Sequence, residues 1–334
     1  MKQLLLVFAV VALVGCGDGG KKVAAEAKAA AEAKAAAEAK AAAEAKAAAD
    51  ARAIEHAIRE ELFKPTGEFT EADYEKVWML ELIDKQLTEV PKELEKLTQL
   101  TRLNLGDNQL TELPKGLEKL PQLTELSLGS NQLTSVEGLE KLTQLEKLWL
   151  VENQLTDVKG LEKLTKLEEL YLYWNQLTGV KGLEKLTQLK MLHLFDNQLT
   201  SVEGLEKLTQ LKGLHLGHNQ LTDVPKGLEK LDQLKKLSLY DNQLTDVKGL
   251  EKLNQLTSLS LEGNKLTDVK GLEKLTNLER LYLRGNQLTD VKGLEKLTNL
   301  ERLYLEGNPD LTKAQIAELK KALPKCKIQS NPTK

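Results

Sequence analysis

Residues 145–166 read LEKLWLVENQLTDVKGLEKLTK, and the chain returns to this phrase, with small changes, from residue 77 to residue 308. The L-x-L portion alternates, so at Leu103, Asn104 and Leu105 two leucines point to one side of a strand and the residue between them to the other. The asparagine that follows falls where the chain bends away from the strand. There its side chain can bond backbone groups that would otherwise be buried and unpaired, so it reads as structural rather than ligand-binding. The segment G-L-E-K-L-T, with Gly at the bend, suits a short helical or 3-10 return. No unit of this kind buries its leucines alone, so units must stack and the two ends need caps.

The asparagines recur at Asn108, Asn131, Asn153, Asn175, Asn197, Asn219, Asn242, Asn264, Asn286 and Asn308, at intervals of 22 or 23. The longer units carry a proline after Val90, Leu113 or Val224, which predicts a slightly longer outer turn there. Leucine accounts for 71 of the 334 residues and aromatic residues for only 4%, the composition of a framework built from one side chain. The pattern L-x-x-L-x-L-x-x-N-x-L resembles the leucine-rich repeat family, and the TDVKGLEKLT portion is similar to its internalin-like bacterial subclass. That resemblance implies an α/β solenoid with a curved parallel β-sheet on the concave face and short helical or 3-10 turns on the convex face. About 11 strands fit within residues 77–308. It also implies that a partner, often a protein, binds the concave sheet at the positions that vary from unit to unit, without naming the partner.

Both ends of the repeat array carry capping signals. Residues 64–76 form the expected N-terminal cap: Lys64-Pro65-Thr66-Gly67 breaks a preceding helix, and Thr70-Glu71-Ala72-Asp73 opens a short one. Residues 309–334 form the expected C-terminal cap and tail, with a capping box at Thr312–Gln315 and Ile316, Leu319 and Leu323 on one helical face. Cys326 follows as a packed thiol.

Ahead of the repeats lie two other segments. Residues 1–15 have the positive start, apolar run and small-residue end of a secretory signal, and the run of 11 apolar residues is short of the roughly 20 that span a bilayer. Leu13-Val14-Gly15-Cys16 resembles the lipobox of bacterial lipoproteins, which implies cleavage before Cys16, lipidation of that cysteine and anchorage in the bacterial cell envelope, with an outer membrane or cell-surface location favoured over the inner membrane. Residues 16–63 then form a lipidated N-terminus and an Ala-rich helical spacer: 20 of the 30 residues from 24 to 53 are Ala, with acids and bases each recurring every six residues. The membrane is expected to be met through the lipid alone, and the protein to be monomeric.

With 47 basic and 50 acidic residues the formal charge is −3, which gives no field for nucleic-acid binding. No Gly-rich phosphate loop, HExxH or GxSxG occurs, so no cofactor and no catalytic residue is expected. His193, His215 and His218 with Asp196 could meet at sheet spacing as a metal site, but nothing in the sequence orients them with supporting groups, so no metal is assigned. The same histidines could instead make binding pH-sensitive.

The aromatic residues between Leu97 and Asn308 all fall at outward positions, mostly in the middle units. Strand spacing of about 4.8 Å predicts one column of Trp149, Tyr171, His193 and His215, an adjoining column of Tyr173, Phe195 and Tyr240, and Trp174, Met191 and His218 on the flanks. Exposed Trp, Tyr and Met on a preformed sheet are the composition of a protein-binding hot spot, and these ten residues form the candidate site. A protein ligand is the leading expectation. A glycan, which also stacks on aromatic rings, and a purely structural spacer are the alternatives, with a metal-dependent enzyme behind them. Arg280, Arg284, Arg302, Glu262 and Glu306 read as a solvated rim.

Overall fold

The computed structural model describes residues 18–90 and 92–331, so the signal segment and Cys16 lie outside the described residues. The chain divides into two compact units, Met1–Arg52 and Ala53–Lys334. Among the described residues no helix is long and apolar enough to cross a membrane.

Helix α1 covers Asp18–Glu61. A six-residue period advances about 240° around a helix, so the lysines and the acids each fall on three directions and no apolar stripe survives. Lys28–Glu32, Lys34–Glu38 and Lys40–Glu44 pair at 3.8, 3.8 and 3.9 Å, all well exposed. Pairs of this kind contribute only about 0.2–0.5 kcal/mol each, so alanine propensity sustains the helix. The composition changes at Ile54: Ile54, Ala57 and Ile58 in the last turns are buried in the core of the second unit. Phe63 then adopts φ +50, and the Lys64 N–H bonds the Arg59 carbonyl at 3.0 Å, ending the helix. Helix α2 (Glu71–Tyr74) follows, with the capping box formed by Thr70 and Asp73, and buries Tyr74.

The repeats form one parallel sheet in strict chain order. Its strands are β1 (Met79–Glu81), β2 (Arg102–Asn104), β3 (Glu125–Ser127), β4 (Lys147–Trp149), β5 (Glu169–Tyr171), β6 (Met191–His193), β7 (Gly213–His215), β8 (Lys236–Ser238), β9 (Ser258–Ser260), β10 (Arg280–Tyr282), β11 (Arg302–Tyr304) and β12 (Lys327–Gln329). The eleven strands expected within the repeats are β1 to β11. The twelfth comes from the C-terminal tail: helix α3 (Lys313–Ala322) closes the core with Ile316 and Leu319, and the chain then adds β12, with Ile328 in register with Leu303. Cys326, just before β12, is half-buried, and burial pushes its thiol up to about 11, so it stays protonated and unreactive at neutral pH.

In β1 to β11 the middle leucine of the strand and the leucine two residues on are buried, as are the leucines of the returning segment. The return contains a short 3-10 turn in most units, for example Leu183–Lys185. After the first unit it begins at a left-handed glycine with φ between +85° and +115°, whose N–H in most units donates to the glutamate two residues on, as Gly182 does to Glu184 at 2.6 Å. At Pro114 and Pro225 the added residue sits in this turn: the bond that closes it runs to the proline carbonyl, from Leu117 and Leu228, where other units use valine. That places the insertion on the convex side, as the spacing predicts. The asparagines do the work expected of them. The Asn153 amide donates to the Leu128, Leu150 and Val151 carbonyls at 2.9, 3.3 and 3.2 Å, and its oxygen accepts from the Leu133 N–H at 2.9 Å. One side chain thus joins neighbouring units and satisfies four backbone groups.

Candidate functional site

Each unit offers the open face of the sheet the first and third residues of its strand and the residue two further on, because the alternating leucines occupy the other side. Register fixes the columns. Trp149, Tyr171, His193 and His215 are Cα partners in sequence across β4 to β7. Their rings form a ladder: Trp149 and Tyr171 stack with centroids 5.5 Å apart and planes within 3°, Tyr171 and His193 lie at 4.8 Å, and His193 stacks on His215 at 4.2 Å.

In the next column Tyr173 stacks on Phe195 at 4.3 Å. Phe195 and Tyr173 also reach the His193 ring at 6.1 and 6.3 Å, which ties the two columns into one platform. Tyr240, expected in this column, does not join the stack. Gly217 stands between it and Phe195, and the Tyr240 ring turns down onto the Gly217 backbone, where any Cβ would collide with it. Met191 lies over Gly213 in the same way. These two glycines, both on or just after β7, were absent from the sequence-derived site. Their signal is a pair of glycines at the outward positions of a single unit.

Trp174 is half-exposed (52%) and meets Tyr173 and Phe195 edge-on at 5.3 and 6.3 Å. It lies past the strand, at the residue before the asparagine, where the backbone is left-handed in every unit that carries the asparagine: φ is +55 at Trp174 and +50 at His218, while the last three units carry Gly263, Gly285 and Gly307 there. A tryptophan in this region costs about 1–2 kcal/mol relative to glycine's freedom, a strain kept at the edge of the platform.

The electrostatics keep the platform neutral. Burial, and then the neighbouring His215, lowers the His193 pKa to about 4. Burial and Lys236 lower that of His215. Burial and the hydrogen bond that the Tyr171 hydroxyl donates to Glu169 at 2.7 Å raise the phenol well above its usual range. Burial, Asp196 and Asp241 also raise Tyr240.

The metal arrangement weighed from sequence does not assemble among the described residues. His193 and His215 are stacked within 21° of parallel, so their ring nitrogens point side by side rather than toward one ion, and His218 instead sets Nδ1 2.7 Å from Asp196.

Models of leucine-rich repeats match residues 77–200, 187–230, 209–266 and 276–321 of the chain. Comparison with curated proteins gives no match. Among solved structures, a leucine-rich repeat protein of Leptospira interrogans is 34% identical over 77% of this chain and 73% of its own, with a TM-score of 0.69. An internalin (inlF) of Listeria monocytogenes is 28% identical over 84% of this chain and 90% of its own, with a TM-score of 0.72. Internalin C2 of the same organism is 32% identical over 63% and 92%, at 0.60. In repeat pattern, sheet and match alike, the chain belongs to the leucine-rich repeat family.

Proposed function

We propose that this is a lipid-anchored bacterial envelope protein that binds a partner protein on the open face of its sheet, without catalysis. The observation that carries the reading is the platform of stacked rings across β4 to β7, extended by Tyr173, Trp174 and Phe195 and by Met191 and Tyr240 seated on glycines. Large, rigid, amphipathic side chains already held by one another bind at low cost in conformational entropy. Family membership and the internalin neighbours support a binding scaffold.

The stacking geometry favours protein over glycan. Ring faces in the ladder are turned toward one another, so most of the platform offers edges and hydroxyls, which suit backbone carbonyls and apolar side chains better than the flat face of a sugar. The neutral histidines extend this apolar surface.

Anchorage is supported by the lipobox-like sequence ending at Cys16, and the Ala-rich helix reads as a spacer without a self-association seam. Metabolic labelling with an alkyne fatty acid tests the anchor: the full chain takes the label, and Cys16→Ser does not. The partner is tested by capture from envelope extract with immobilised protein, comparing the native chain with one carrying Trp149→Ala, Tyr171→Ala, Trp174→Ala and Phe195→Ala. A protein retained by the first and lost by the second supports the reading; identical retention, or capture of glycan alone, contradicts it.

A further inference from the structure

The first column of the open face changes character along the sheet. From β2 to β5 it reads Arg102, Glu125, Lys147, Glu169, each charge next to its opposite: Arg102–Glu125 at 3.4 Å, Lys147–Glu125 at 3.8 Å and Lys147–Glu169 at 3.7 Å. From β8 to β12 the same column reads Lys236, Ser258, Arg280, Arg302, Lys327, in continuous register and without a carboxylate. Three cations on neighbouring strands, about 4.8 Å apart, repel one another, and like charges directly opposite in a sheet are destabilising.

Carboxylates flank these cations on both sides without pairing to them among the described residues. Glu279 and Glu301 precede Arg280 and Arg302, but among the described residues the ion pairs of this region are those of Arg284 alone. On the other side, Glu262 and Glu306 are held by Arg284, whose Nη1 lies 3.8 Å from the first and whose Nε lies 2.9 Å from the second. Between these flanks the second column supplies hydroxyls from Ser260, Tyr282 and Tyr304, the two tyrosine rings stacked at 4.7 Å. The column itself therefore presents guanidinium and ammonium groups that no carboxylate pairs among the described residues, beside hydrogen-bond donors held on rigid strands.

We propose that this patch binds an acidic, extended peptide segment. Planar guanidinium forks match carboxylates bidentately. Side chains on one face of an extended chain recur about every 6.6–6.8 Å, within the reach of arginines set at sheet pitch. The patch also adjoins the aromatic platform, since Lys236 is the register partner of Gly213, which carries Met191. A segment crossing from one surface meets the other, yet the charge patch does not require the platform.

The test is fluorescence anisotropy of a labelled oligoglutamate peptide with the full chain at low ionic strength, where screening is weak. Charge reversal by Arg280→Glu with Arg302→Glu is expected to weaken binding at least about tenfold. Lys313→Glu with Lys320→Glu on α3, the same change of net charge elsewhere, is expected to leave it within about twofold. The Arg280→Gln, Arg302→Gln pair gives a second version if the reversal lowers the melting temperature. Trp149→Ala with Tyr171→Ala should retain oligoglutamate binding, so failure of the platform reading and failure of this one are separable. No binding, equal loss in both charge reversals, or binding of dextran sulfate but not of oligoglutamate overturns the proposal.

Discussion

Asn175 satisfies four backbone groups with one amide: its nitrogen donates to Leu150, Leu172 and Tyr173 at 2.9, 3.1 and 3.4 Å, and its oxygen accepts from Leu155 at 3.0 Å. Truncation leaves buried donors and acceptors unpaired, each costing about 1–3 kcal/mol before any water enters. Asn175→Ala is therefore expected to lose about 2–4 kcal/mol in urea unfolding, whereas Gln176→Ala, exposed next to it, should stay within about 0.5 kcal/mol. At Trp174 two effects oppose each other. Relief of left-handed strain, about 1–2 kcal/mol, offsets the lost ring contacts and the added freedom of an unfolded glycine, so Trp174→Gly should change stability by less than about 1 kcal/mol while weakening partner binding. The asparagine role is legible in sequence from its position after the strand. The left-handed backbone before it is hidden, because only the last three units write it as glycine.

His193 sets the pH behaviour at the same scale. Its folded pKa of about 4 lies below the value of about 6.5 for an unfolded histidine, so between these the unfolded chain holds more protons. Stability should rise with pH across that window and be flat above it as far as His193 is concerned. Replacing His193 by Phe should reduce the difference between urea midpoints measured at the two ends of the window; an unchanged difference would place the titration elsewhere. A pH switch of binding near neutrality, conceivable from the histidines in sequence, loses its basis at His193, which stays neutral there.

At the scale of elements, the convex turn separates glycines that look alike in sequence. Gly160 has φ +101, and a Cβ there would lie 2.6 Å from the Val136 carbonyl oxygen. Gly179, three residues before the turn glycine Gly182, has nothing within 4 Å and no left-handed backbone. Gly160→Ala should therefore cost more than about 1 kcal/mol and Gly179→Ala less than about 0.5, read as shifts in thermal unfolding by circular dichroism. Helix α3 is the seal at the other end. Thr312 accepts the Gln315 N–H at 3.2 Å, and Ile316 and Leu319 are 4% exposed. Ile316→Ala with Leu319→Ala should expose the last leucines of the sheet and cost about 2–5 kcal/mol per residue, with hydrogen exchange accelerating first in β10 to β12. The capping box announces this helix in sequence. Strand β12 does not announce itself, since Lys-Ile-Gln is too short to show a period.

At the scale of the whole molecule, the repeat makes the fold legible: a period of 22 or 23 residues, ten times in register, leaves little for tertiary context to decide. The columns of the open face follow from the same register, so the line from Trp149 to His215 can be read directly. What cannot be read is how side chains settle within that register. Gly213 and Gly217 let Met191 and Tyr240 lie down, and the ion-paired half of the first column differs from the unpaired half only once strands are set side by side. The central claim, that a partner protein docks on the open face at the platform, is met most directly by photo-crosslinking from a benzophenone side chain placed at Val151, beside the rings, or at Gln188, on the outer turn. A protein adduct from Val151 that disappears with Trp174→Ala and Phe195→Ala, and that is absent from Gln188, is the predicted result. Adducts that form equally from both positions, or that survive loss of the rings, would contradict it.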